Sequence, residues 1–118
     1  MDTSGTIRLS GTTIAEIAAR AASETHGVRS DFQSLLRSVE LLRNDTVLSL
    51  GEKIPLDAKD LIVRLKITVS SSSPSFFAVA QLVQRNVFEA LKHRLGLTPQ
   101  RVDVEVDNVD WSELGERG

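Results

Sequence analysis

Along the chain the hydrophobic positions change period several times, and each change marks an element. Ile7 and Leu9 alternate with Arg8 and Ser10, the period of two expected of a short strand with one buried face. Thr13 and Glu16 then stand at capping-box spacing, ahead of Ile14, Ile17, Ala18, Ala21 and Ala22 at helical intervals, so a first helix is predicted to begin there. His26 suits a helix's carbonyl end and Gly27 a left-handed stop, which ends this helix near Thr25. From Ser30 onward Phe32, Leu35, Leu36, Val39 and Leu42 repeat at helical spacing and predict another helix, running to the break at Asn44 and Asp45. Residues 46–50 read as a short strand, and Gly51, Pro55 and Asp57 mark a turn-rich connection.

The clearest strand spans residues 60–70. Leu61, Val63, Leu65, Ile67 and Val69 face one way and Arg64, Lys66 and Thr68 the other, with Ile62 as the exception. Ser73 and Pro74 stand as cap and first position of a long helix, buried along Phe76, Val79, Ala80, Val83, Val87, Ala90, Leu91 and Leu95, and ended by Gly96 and Pro99. A last strand at 101–109 sets Val102, Val104 and Val106 against Asp103, Glu105 and Asp107. This order, β-α-α-β-β-α-β, predicts an α+β two-layer sandwich, with helices on one face of a mainly antiparallel sheet of about four strands. Residues 6–111 are expected to form one domain between a disordered start at 1–5 and a flexible tail at 112–118.

Composition narrows the function. A chain of 118 residues, 41% hydrophobic and 25% charged, suits one globular core. No apolar run approaches the roughly 18 residues a membrane span needs. The first ten residues lack the basic and apolar segments of an export signal, so a cytoplasmic location is expected. Without cysteine there is neither disulfide nor thiolate metal site. A net charge of -2 and 4% aromatic residues make a nucleic-acid partner an unfavoured expectation.

Three clusters are candidates for chemistry. Asp103, Glu105 and Asp107 place carboxylates roughly 7 Å apart along one strand face, a row rather than the converging ligand set a cation needs. Arg8, Arg64 and Lys66 offer them cross-strand partners. The serines at 70–73 lack a glycine-rich phosphate loop, and no Lys or Arg stands between Ser70 and Gln84, which leaves capping as their role. His26 and His93 belong to no nucleophilic arrangement. No catalytic residue, metal, cofactor or small-molecule substrate is therefore expected. Basic Arg20, Arg29, Arg37 and Arg43 against an acidic carboxy-terminal end fit an ordinary mixed surface first and head-to-tail association second. Trp111 reads either as a plug over the sheet end or as an exposed anchor. The expected interaction surface is Arg8, Arg64, Lys66, Asp103, Glu105, Asp107 and Trp111.

Ile17-Ala18, Glu24-Thr25-His26-Gly27-Val28, Val79-Ala80, Val83-Gln84, Val87, Gly96-Leu97 and the strand from Val102 to Val106 together resemble the alkaline shock protein family, bacterial envelope stress response proteins. The chain departs from that family's pattern in having Ser70-Ser71 where a Tyr-Gly pair is common, and in a longer connection after Gly27-Val28. The resemblance implies a small cytoplasmic, non-enzymatic interaction or scaffold protein of the envelope stress response. It would self-associate or dock another protein, membrane-anchored partners included, and so lie peripheral to the membrane. The alternative is an RNA-associated domain gripping backbones through Arg29, Arg37, Arg43 and Lys92, a reading weakened by the lack of a GXXG loop.

Overall fold

The computed structural model describes residues 5–112. Its elements are β1 (Arg8–Ser10), α1 (Gly11–Ser23), α2 (Phe32–Ser38), β2 (Glu40–Arg43), β3 (Thr46–Val47), β4 (Lys53–Pro55), β5 (Ile62–Ser70), α3 (Phe76–Leu95) and β6 (Arg101–Asp110). Four strands form the main sheet in the order β3-β2-β5-β6, and β1 pairs with β4 in a separate ribbon. The ladders β1–β4, β2–β3 and β2–β5 are antiparallel; the longest, β5–β6, is parallel, because α3 carries the chain back to start β6 beside the beginning of β5. The fold is α+β, as the pattern predicted. Apart from Gly5 and Ser112, the expected disordered start and flexible tail lie outside the described residues.

β1 hands the chain directly to α1. Ser10 caps the helix by accepting from the Thr12 N–H at 3.1 Å, so α1 begins ahead of the expected Thr13 cap. Gly11 makes this tight entry possible, since a Cβ there would lie 2.8 Å from the Leu50 carbonyl oxygen. Ile14, Ala15, Ala18, Ala19 and Ala22 are fully buried, and the small alanines let α1 lie close against α3, with which it packs. The helix ends at Ser23, and Gly27 follows with φ +97°.

The predicted helix from Ser30 through Leu42 is corrected. It stops at Ser38; Val39 is extended, and Leu41 and Leu42 belong to β2. Asn44 and Asp45, with φ 50° and 63°, make the two-residue turn that joins β2 to β3. Two consecutive left-handed residues match the twist of a hairpin, so they require strands on either side. The strand expected at 46–50 shortens to Thr46–Val47, and part of the supposed turn-rich connection is β4.

β5 is the central strand, and its hydrogen bonds show what the segment before β2 does. Just ahead of β2, Ser38 Oγ accepts from the Lys66 N–H at 3.1 Å, and its own proton is shared between the Leu35 carbonyl at 2.8 Å and the Lys66 carbonyl at 3.2 Å. Ser30 Oγ accepts from Thr68 N at 2.7 Å; Arg29 N donates to Thr68 O at 2.8 Å, and Ser70 N donates to Gly27 O at 2.9 Å. The stretch 27–38 thus stands in for a missing strand and satisfies the backbone groups along that edge of β5. Leu35 of α2 is fully buried in the core with Val63, Leu65, Ile67 and Val69.

α3 is capped by Ser75, which accepts from Ala78 N at 3.0 Å, so the helix starts slightly after the expected Ser73-Pro74. Gly96 ends it with φ 73°. Leu97 N reaches Leu91 O and Gly96 N reaches Lys92 O, the paired bonds of a Schellman motif.

Candidate functional site

The helices cover one face of the main sheet, and the charged residues are on the other. Ladder partners share a face, so the register lays that face out in rows. The first row is Val47, Leu42, Ile62 and Arg101; next come Glu40, Arg64 and Asp103, then Lys66 and Glu105, then Thr68 and Asn108. Ile62, the exception to the alternation of β5, lies directly across from Leu42. The two are 7% and 6% exposed and lie outside the main core cluster. An apolar row therefore borders a charged field.

Within that field the ion pairs are specific. Arg64 Nη1 lies 3.4 Å from Glu40 Oε1, across the antiparallel ladder rather than toward Asp103. Asp103 instead accepts from Arg101 Nε, at 2.9 and 3.2 Å to its two oxygens. Off that face, at the end of β2, Arg43 Nε lies 2.9 Å from Asp60 Oδ1. Each exposed pair contributes under about 1 kcal/mol. Lys66 and Glu105 are neighbours in register and both exposed, and among the described residues neither enters an ion pair.

Of the seven residues expected to form one surface, the register brings Arg64, Lys66, Asp103 and Glu105 together. Arg8 sits on β1, opposite Pro55 in the separate ribbon. Asp107 falls at the irregularity between the Ile67–Val106 and Thr68–Asn108 pairs, so a β-bulge takes it out of the ladder. Trp111 follows β6 and is 59% exposed. Beside it, Asp110 accepts from Ser112 N at 3.0 Å. That bond, assisted by the charge of Arg29, holds the Asp110 carboxyl below its ordinary value.

Sequence reasoning missed Glu40, Arg101 and the apolar pair. Glu40 was assigned to a helix, but the break at Ile62 was a readable sign that another apolar side chain shares that face. Elsewhere, His93 Nε2 lies 2.9 Å from Glu89 Oε1 one helical turn away, and His26 is exposed beyond α1. Among the described residues no group of three or more His, Asp or Glu side chains could hold a metal ion, and no helix is long and apolar enough to cross a membrane.

A family model for the alkaline shock protein 23 family, described as having a cell envelope-related function, matches residues 1–111. No curated protein and no solved structure matches the chain. The family match takes in every strand and helix of the fold, including the rows of the open face, and agrees with the combination of residues that first suggested it: the chain belongs to the alkaline shock protein family, with its cell envelope-related function.

Proposed function

We propose that this protein is a non-enzymatic interaction module of the cell envelope response, and that it works by associating with itself or docking another protein through the open face of its sheet. The observation that carries this reading is the pair of neighbouring strands with opposite charge on that face, Arg64 and Lys66 on β5 beside Asp103 and Glu105 on β6. Facing rows of opposite sign steer encounter and fix register between surfaces. Residues set in rows along neighbouring strands do not converge on one point, which suits contact rather than catalysis. On this reading the protein acts from the cytoplasm and reaches the membrane only through a partner.

Light scattering over a range of salt, with crosslinking in the native host, tests the proposal. Association at low salt should weaken as salt rises, and Lys66→Glu should weaken it with little change in thermal unfolding. A strict monomer at low salt, together with no crosslinked partner in cells, would overturn it.

A further inference from the structure

β6 is the terminal strand of the main sheet and is paired on one side only. In a parallel ladder the N–H and C=O of one residue point to the same side, and those of the next residue point away. Gln84 Nε2 donates to Val102 O at 3.1 Å from α3, which marks Val102 as a residue whose backbone faces outward. By alternation Val104 and Val106 face outward too, and among the described residues nothing caps them. Gln84 closes this stretch at its start and the bulge at Asp107 closes it at its end. What remains is a short, defined length of unpaired strand edge, the kind of template to which another strand adds.

The surroundings of this edge set the chemistry of what can add there. A strand paired to β6 would send alternate side chains to opposite faces of the sheet. On the open face they would meet Glu105, which has no ion pair among the described residues, with Asp107 exposed nearby. On the helix side they would enter a groove of about 790 Å³ lined by Ala78, Leu82, Arg85, Phe88 and Val102, among others. Leu82 and Phe88 make this side receptive to apolar groups, and the Arg85 guanidinium disfavours cations there. A second copy of β6 fits badly, because its Asp103, Glu105 and Asp107 would add carboxylates beside the same three.

We infer that the free edge of β6 is a docking site for an extended peptide segment of a partner protein, alternating basic and apolar residues, which adds to the sheet as a fifth strand. Its basic side chains lie beside Glu105 on the open face, and its apolar side chains fill the groove against Leu82 and Phe88. This goes beyond contact through the open face, since it uses backbone hydrogen bonds at the edge.

The test uses the full chain and the labelled peptide Gly-Ser-Lys-Val-Lys-Val-Lys-Ser-Gly, followed by fluorescence anisotropy and amide hydrogen exchange. Binding should slow exchange at the Val104 and Val106 amides. Glu105→Lys should weaken it about fivefold, and a peptide N-methylated at alternate residues should not bind. Val104→Pro removes an outward N–H that takes no part in the β5–β6 ladder, so it should abolish binding while the protein stays folded. The N-methylated peptide carries the same test should that variant fail to fold. Equal binding of a Glu-Val peptide, or binding without protection at Val104 and Val106, would overturn the inference. So would a peptide-free dimer already protected at those amides, which would assign the edge to a second copy. Loss of salt-dependent association through the open face would leave the peptide result unchanged, so the two proposals fail separately.

Discussion

Asp31 shows how much one exposed side chain settles. It precedes α2 in extended conformation, and its carboxylate accepts from the Ser34 N–H at 2.8 Å. That backbone bond is the largest cause holding its pKa below the ordinary value of 3.8, with the Ser34 hydroxyl and the charge of Arg37 assisting. A carboxyl whose pKa is lower in the folded state binds its proton more readily in the unfolded chain. Its contribution is therefore present above pH 3.8 and is lost as pH falls through the folded value. Asp31→Asn keeps a capping oxygen but removes the titration. The unfolding temperature of the wild-type protein should accordingly fall more steeply than that of the variant as pH is lowered below about 4; parallel curves would show that the cap does not depend on charge. At this scale the sequence misled only in choosing among neighbours: Ser10 rather than Thr13 caps α1, and Ser75 rather than Ser73 caps α3. Several hydroxyls were within a turn of each helix start, and local spacing does not say which one the tertiary structure leaves free.

Among the elements, those with a single unbroken period were legible. β5 keeps strict alternation over Val63, Leu65, Ile67 and Val69, and α3 keeps a helical stripe over Val79, Val83, Val87 and Leu91, and both lie where the pattern predicts. The segment from Phe32 to Leu42 was not legible, because a short helix and a short strand buried on both faces together reproduce helical spacing. Leu41 enters the core while Leu42 meets Ile62 on the opposite face, an arrangement with no period of its own. The better signal was the turn. Asn44 and Asp45 both have positive φ, which these residue types tolerate and β-branched residues do not. Asp45→Val should therefore destabilise the protein by about 1–2 kcal/mol, although Asp45 is exposed and in no ion pair among the described residues. Chemical denaturation would measure this. An unchanged midpoint would mean that the β2–β3 hairpin adds nothing to stability.

At the scale of the whole molecule, strand order and direction were what the sequence could not supply. Alternation assigns each residue to a face but not to a neighbour, so Arg8 seemed as available to the acidic strand as Arg64. It lies in a different sheet. The parallel pairing of β5 and β6 has a consequence for assembly, since it places a basic strand beside an acidic one in fixed register, with Lys66 level with Glu105. Two copies stacked by their open faces about a two-fold axis parallel to the strands would bring β5 of each over β6 of the other, so Lys66 would meet Glu105 twice. Under the proposed self-association, Lys66→Glu sets Glu against Glu105 at both contacts, and Glu105→Lys sets Lys against Lys66; each variant alone should be monomeric at low salt. Mixed in equal amounts they should form a heterodimer, because each substitution restores the charge its counterpart requires. Sedimentation of the two variants apart and together checks this. Failure of the mixture to associate, where the wild-type protein does, would exclude the two-fold stacking and leave the open face to a different partner.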